Sequence, residues 1–124
     1  MNMLKTGLSL LLMAVITPSF AAEKAELPAQ ATAKVNAQFE VKLPSNPTTG
    51  YNWIVLKLPE QVALTGMDYA QSPDCAAGMV GCGGTTTLRF KALKAGTGKL
   101  IVQYARPWET LTNEAETINI HVTP

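Results

Sequence analysis

The sequence predicts an all-β fold, an immunoglobulin-like β-sandwich of antiparallel strands. Three observations carry that expectation. Short apolar–polar alternations recur along the chain; the clearest has Val35, Ala37, Phe39, Val41 and Leu43 separated by polar residues without an error. Gly- and Pro-rich turns separate these segments, and none has a convincing helical period. At least six such strands fit into about 90 residues, the spacing of a sandwich or small barrel.

The N-terminus stands outside this pattern. Lys5 precedes the apolar run Leu8–Ile16, and Ser19-Phe20-Ala21 supplies a small-residue cleavage pattern, so residues 1–21 read as a secretory signal peptide. The apolar run is too short to span a membrane, and no Cys flanks the cleavage site to accept a lipid. The expected protein is exported, periplasmic or secreted. Residues 22–33, rich in Ala and charge and containing Pro28, show no period and read as a flexible leader, which leaves residues 34–124 as one domain. Without Lys5, nine basic residues face nine acidic ones, a formal charge of zero. With no basic cluster, neither nucleic acid nor an anionic membrane surface is an expected partner, and a monomer is the default.

From Val35 to Leu43 the chain is expected to be a strand with one face in the core. Asn46 to Tyr51 is a rigid loop. Pro47 sets its own φ and biases Asn46 away from helix, and Gly50 permits a backbone conformation closed to other residues. Tyr51–Lys57 reads as the next strand, with Trp53 and Val55 on one face and Ile54 and Leu56 on the other. Apolar residues on both faces point to a central strand, or to one with its second face covered. Val62–Tyr69 is a weaker strand interrupted by Gly66, with Val62, Leu64 and Met67 available to the core. Gln71–Gly84 holds Pro73, Cys75, Cys82 and four glycines, and reads as a long loop. Thr85–Ala92 and Lys99–Ala105 alternate again, and the turn Lys94–Gly98 between them predicts a hairpin. A loop beginning at Arg106 follows, and Ile118, Ile120 and Val122 mark the last strand.

Cys75 and Cys82 read as a disulfide, since an exported chain leaves the reducing cytosol. Closing so small a ring would contribute roughly 2–3 kcal/mol on the chain-entropy estimate. Two Cys and one His fall short of a four-ligand zinc site, so no metal or other cofactor is expected. Catalysis is not expected either. The single histidine, His121, alternates onto the face away from the core, the carboxylates show no local pairing, and Gly81-Cys82-Gly83-Gly84 lacks the Lys and Ser/Thr of a phosphate loop.

The residues that invite a function lie in the loops. Thr48 and Thr49 carry small hydroxyls that either donate or accept hydrogen bonds. Trp108, between Pro107 and Glu109, has no slot in any alternating run and is read as a contact residue; the other reading folds it back over the end of the sandwich. Trp53, inside a strand, is assigned to the core. Tyr51 is either a buttress or a contact, and Arg106 pairs either with a carboxylate of a partner or with Glu109.

Asn46-Pro47-Thr48-Thr49-Gly50-Tyr51 with Trp53 beyond it, Gly81-x-Gly83-Gly84 before a strand holding Phe90, and Arg106-Pro107-Trp108-Glu109 together resemble the chagasin family of papain-like cysteine protease inhibitors. The resemblance covers nearly the whole mature chain in order and spacing. The cysteine pair beside the glycine motif departs from the family pattern. What the resemblance implies is a sandwich whose three loops form a wedge entering a protease active-site cleft, bound reversibly and without a covalent bond. Asn46, Pro47, Thr48, Thr49, Gly50 and Tyr51 would go to the centre, with Thr48 and Thr49 near the catalytic cysteine. Gly81, Gly83 and Gly84 would flank them on one side and Arg106, Pro107 and Trp108 on the other. From a different class, an exported adhesion or assembly module built on the same sandwich is the alternative.

Overall fold

A computed structural model describes residues 27–75 and 81–124. The expected signal peptide and residues 22–26 of the expected leader lie outside the described residues. Seven strands follow in order: β1 Gln30–Lys34, β2 Gln38–Ser45, β3 Asn52–Lys57, β4 Val62–Gln71, β5 Gly84–Ala92, β6 Gly96–Ala105 and β7 Glu116–Thr123. They form two sheets, β1-β7-β6-β3 and β2-β5-β4. The all-β sandwich read from the alternation is the fold. Every pairing is antiparallel except that of β1 with β7, which is parallel.

Period-two patterning places the apolar side chains between the sheets. Val41 and Leu43 of β2 and Leu88, Phe90 and Ala92 of β5 line one wall. Leu100 and Val102 of β6, with Ile118, Ile120 and Val122 of β7, line the other. Phe90 is 1% exposed and stacks on Phe39, with ring centroids 5.2 Å apart. His121 points outward from β7, as its place in the alternation requires.

Five local expectations need correction. Part of the expected leader is strand β1, which runs beside β7 from Gln30↔Asn119 to Lys34↔Thr123. Its inward residues, Ala31 and Ala33, bury little apolar area, so the ladder to a distant strand defines the element. The run from Val35 to Leu43 does not start as a strand. Asn36 takes a positive φ of 73°, and its N–H donates to Ala92 O across a turn between β1 and β2. The predicted hairpin is absent: β5 is flanked by β2 and β4, so both its edges are occupied and the chain crosses to the other sheet to form β6. Leu64 and Met67 are 37% and 45% exposed, because β4 is an edge strand, with a register shift between Leu64 and Gly66. β3 is also an edge strand, not a central one. Its outer face is covered only in part: half-buried Ile54 lies in register with Gln103, which is 3% exposed and donates from Nε2 to Thr112 Oγ1 at 3.1 Å, whereas Leu56 is 41% exposed.

Cys75 and Cys82 form the expected disulfide, with Cα atoms 6.0 Å apart. It lies in the connection between β4 and β5.

Phe90→Ala removes the largest fully buried side chain and is expected to lower the unfolding free energy by about 3–5 kcal/mol, measured by urea denaturation. A loss under about 1 kcal/mol would place Phe90 outside the core.

Candidate functional site

The first loop is a single 3-10 turn, Pro47–Thr49, capped at both ends. Asn46 precedes it with φ −144° and ψ 85°, and its Oδ1 accepts from Thr48 N–H at 3.3 Å and from Thr48 Oγ1 at 2.6 Å. Pro47 stands where a missing N–H leaves no bond unmade. At the far end Gly50 N–H donates to Pro47 O at 2.9 Å with φ at +91°, a conformation that favours glycine. The loop stands on aromatic rings. Asn46 N–H donates to the Tyr104 hydroxyl at 2.6 Å, and the Tyr104 ring lies 5.3 Å from Tyr51 and 4.9 Å from Trp53. Trp53 is buried, and its Nε1–H donates to Pro44 O at 2.9 Å. Tyr51 is therefore a buttress, and Thr48 and Thr49 are exposed at the tip.

The second loop is joined to the first by one side chain. Asn46 Nδ2 donates to Gly81 O at 3.0 Å. Gly83 O accepts from Ser72 N–H at 3.0 Å, which draws the two ends of the β4–β5 connection together. Gly84 belongs to β5 and is squeezed between its neighbours: a Cβ there would lie 2.2 Å from Ala70 O. The resemblance placed this glycine among the residues that flank the central loop in a protease cleft. The structure gives it an internal reason, since β2 and β4 converge on it from both sides.

The third loop grips the first from the other side. Arg106 Nε donates to Thr49 O at 2.9 Å, its guanidinium carbon sits 4.6 Å from the Tyr51 ring centroid, and its Nη1 lies 3.4 Å from Glu109 Oε2. Of the two readings left open for Arg106, the pairing within its own loop is the one observed. Pro107 and Trp108 are exposed, Trp108 to 71%. The indole nevertheless has a seat: a Cβ on Gly50 would lie 2.3 Å from its Cη2, so the ring rests on the bare Cα.

The sequence placed these three loops far apart and the fold makes them one edge. Asn46 bonds to the second loop and Thr49 to the third, so the central turn is held from both sides. Tyr104 lies in the alternating run Lys99–Ala105, and nothing in that local pattern marks it as the support of the first loop.

At residues 46–51, 81–84 and 106–109 the edge offers hydroxyls, backbone and one indole, with Arg106 and Glu109 as its charged side chains. The denser charge cluster lies elsewhere, on the outer face of β2-β5-β4. There Arg89 Nε donates to Asp68 Oδ2 at 2.7 Å and Nη1 meets Glu40; the hydrogen bond to Asp68 and both carboxylate charges push the guanidinium pKa above its ordinary value. Among the described residues no group of three or more His, Cys, Asp and Glu is placed to hold a metal ion. Both cysteines are consumed in the disulfide, so neither forms a nucleophilic pair with His121.

Gly50→Ala forces a side chain into a left-handed conformation and against the indole. It is expected to lower stability by about 1–2 kcal/mol and to shift the emission of the exposed Trp108 while buried Trp53 is unaffected, read by denaturation and fluorescence.

Comparison with known proteins agrees with this architecture. The chain is 30% identical to chagasin of Trypanosoma cruzi over 103 residues, 80% of this chain and 92% of that protein. It is 36% identical to amoebiasin-1 of Entamoeba histolytica over 75 residues, 60% of this chain and 71% of that protein. The crystal structure of the cysteine protease inhibitor EhICP2 from Entamoeba histolytica superposes with a TM-score of 0.58 at 25% identity, covering 75% of this chain and 87% of that one. Leishmania mexicana ICP superposes with a TM-score of 0.54 at 26% identity, covering 90% and 97%. Residues 32–122, which include all three loops, match the chagasin family of peptidase inhibitors I42, a family of inhibitors and not of enzymes, and the chain belongs to it.

Proposed function

We propose that this chain is a reversible, non-covalent inhibitor of papain-like cysteine proteases that inserts its three-loop edge into the active-site cleft. One observation carries the reading: the central turn is tied to both neighbouring loops, by Asn46 to Gly81 and by Arg106 to Thr49, which makes a preorganised convex edge. A papain-like enzyme cleaves only a peptide carbonyl held in near-attack geometry. A turn closed by Pro47 and Gly50 fills the cleft without presenting one, and its rigidity reduces the ordering cost of binding. The similarity to proteins named as cysteine protease inhibitors supports the choice of target class.

In this reading Thr48 and Thr49 face the catalytic cysteine. Gly81 and Gly83 present backbone on one side, and Pro107 and Trp108 pack along the other wall. Arg106 acts chiefly by holding Thr49 and Tyr51 in place, through its Nε–H and the flat face of its guanidinium. The inhibitor acts as an exported monomer, and export rests on the N-terminal sequence alone.

The direct test titrates the mature protein against activated papain with a fluorogenic peptide substrate. Inhibition that disappears on dilution, with the inhibitor's mass unchanged, is expected; none at micromolar concentration would defeat the proposal. Trp108→Ala should weaken inhibition roughly 30-fold, about 2 kcal/mol, with the melting temperature nearly unchanged. A sharp fall in melting temperature would instead assign Trp108 to packing.

A further inference from the structure

We infer that the Cys75–Cys82 disulfide is a positioning element of the recognition edge and makes inhibition depend on thiol redox state; this rests on the inhibitory reading above. Cys82 follows Gly81, whose carbonyl receives the Asn46 amide at 3.0 Å. Cys75 is anchored at the exit of β4, where its N–H donates to Ser72 O at 3.0 Å and its Sγ receives Gln71 Nε2 at 3.2 Å. Apart from its chain neighbours, no described residue lies within 4 Å of the place a Cβ on Gly81 would occupy, so no described side chain packs on that side of the loop. Its carbonyl is bound by Asn46 on one side, and the next residue, Cys82, is fixed by the covalent bridge on the other. The Ser72–Gly83 hydrogen bond sits at the base of the connection, two residues beyond Gly81.

A dithiol reductant opens the bridge in two exchanges. Its first thiolate attacks one inhibitor sulfur, forming a mixed disulfide and expelling the other sulfur as a thiolate. Its second thiol then displaces the first inhibitor sulfur, leaving the reductant as a cyclic disulfide and its two protons on Cys75 and Cys82. Asn46 then faces an acceptor with no fixed position, and the second loop must be ordered when the protease binds.

The test compares three inhibitor forms, oxidised, dithiol-reduced and Cys75→Ser/Cys82→Ser, against papain activated beforehand, freed of reductant and kept anaerobic. The reduced protein and the double variant are each expected to inhibit about 10-fold more weakly than the oxidised form. Adding Asn46→Ala to the double variant should cost less than the product of the separate losses, because both act through the Gly81 carbonyl. NMR supplies a readout that needs no protease: the Asn46 side-chain amide protons should move toward their random-coil shifts on reduction. Inhibition within twofold across the three forms, even with a lowered melting temperature, would make the bridge a stabilising staple only and overturn the inference. An unmoved Asn46 amide would overturn it too. If the oxidised protein does not inhibit at all, the inhibitory reading fails, and redox-dependent inhibition fails with it.

Discussion

The loop end of this protein depends on Tyr104. Its ring lies between Tyr51 and Trp53, and its hydroxyl accepts the backbone N–H of Asn46, the residue that opens the central turn. Tyr104 belongs to β6 in one sheet, whereas Asn46 continues from β2 in the other. The bond therefore joins the two sheets at the point where the three-loop edge emerges. Trp53 repeats the device, reaching from β3 to Pro44 O of β2. Aromatics with a polar tip suit this place: Trp53 is in the core and half-buried Tyr104 packs against it, and each leaves one group to hold backbone.

On that support, the edge is stiffened by bonds that leave its tips free. Asn46 serves three purposes with one side chain and one N–H: it caps the turn, reaches Gly81 and rests on Tyr104. Arg106 uses its donors on Thr49 and Glu109 and its flat face on Tyr51. Thr49, Pro107 and Trp108 stay exposed, so the edge presents hydroxyl and indole at its surface. The sheet layout enforces the same order lower down. β5 has a strand on each side, which leaves no room for a side chain at Gly84 and brings the glycine loop up beside the first loop.

The same layout explains where local reading fails. Alternation in Thr85–Ala92 and Lys99–Ala105 located both strands, but a turn between two strands does not reveal that β5 already has two partners. β1 escaped notice because Ala31 and Ala33 carry little apolar signal, and its strand exists through a parallel ladder to residues almost ninety positions away. Leu64 and Met67 looked available to the core and stand half-exposed because their strand is at an edge.

Side-chain periodicity, turn residues and the pair of cysteines are local, and from them alone came the sandwich class, three loop motifs in order and the disulfide. The arrangement of those motifs was not local. Only the tertiary structure decided that Asn46 bonds to Gly81, that Arg106 turns to Thr49 and Glu109, and that Trp108 rests on Gly50. Each of these contacts joins residues separated by tens of positions, or selects one partner among several equally near in sequence. Hydrogen-bond geometry and the vacancy of a missing Cβ make that choice once the two sheets have closed on each other.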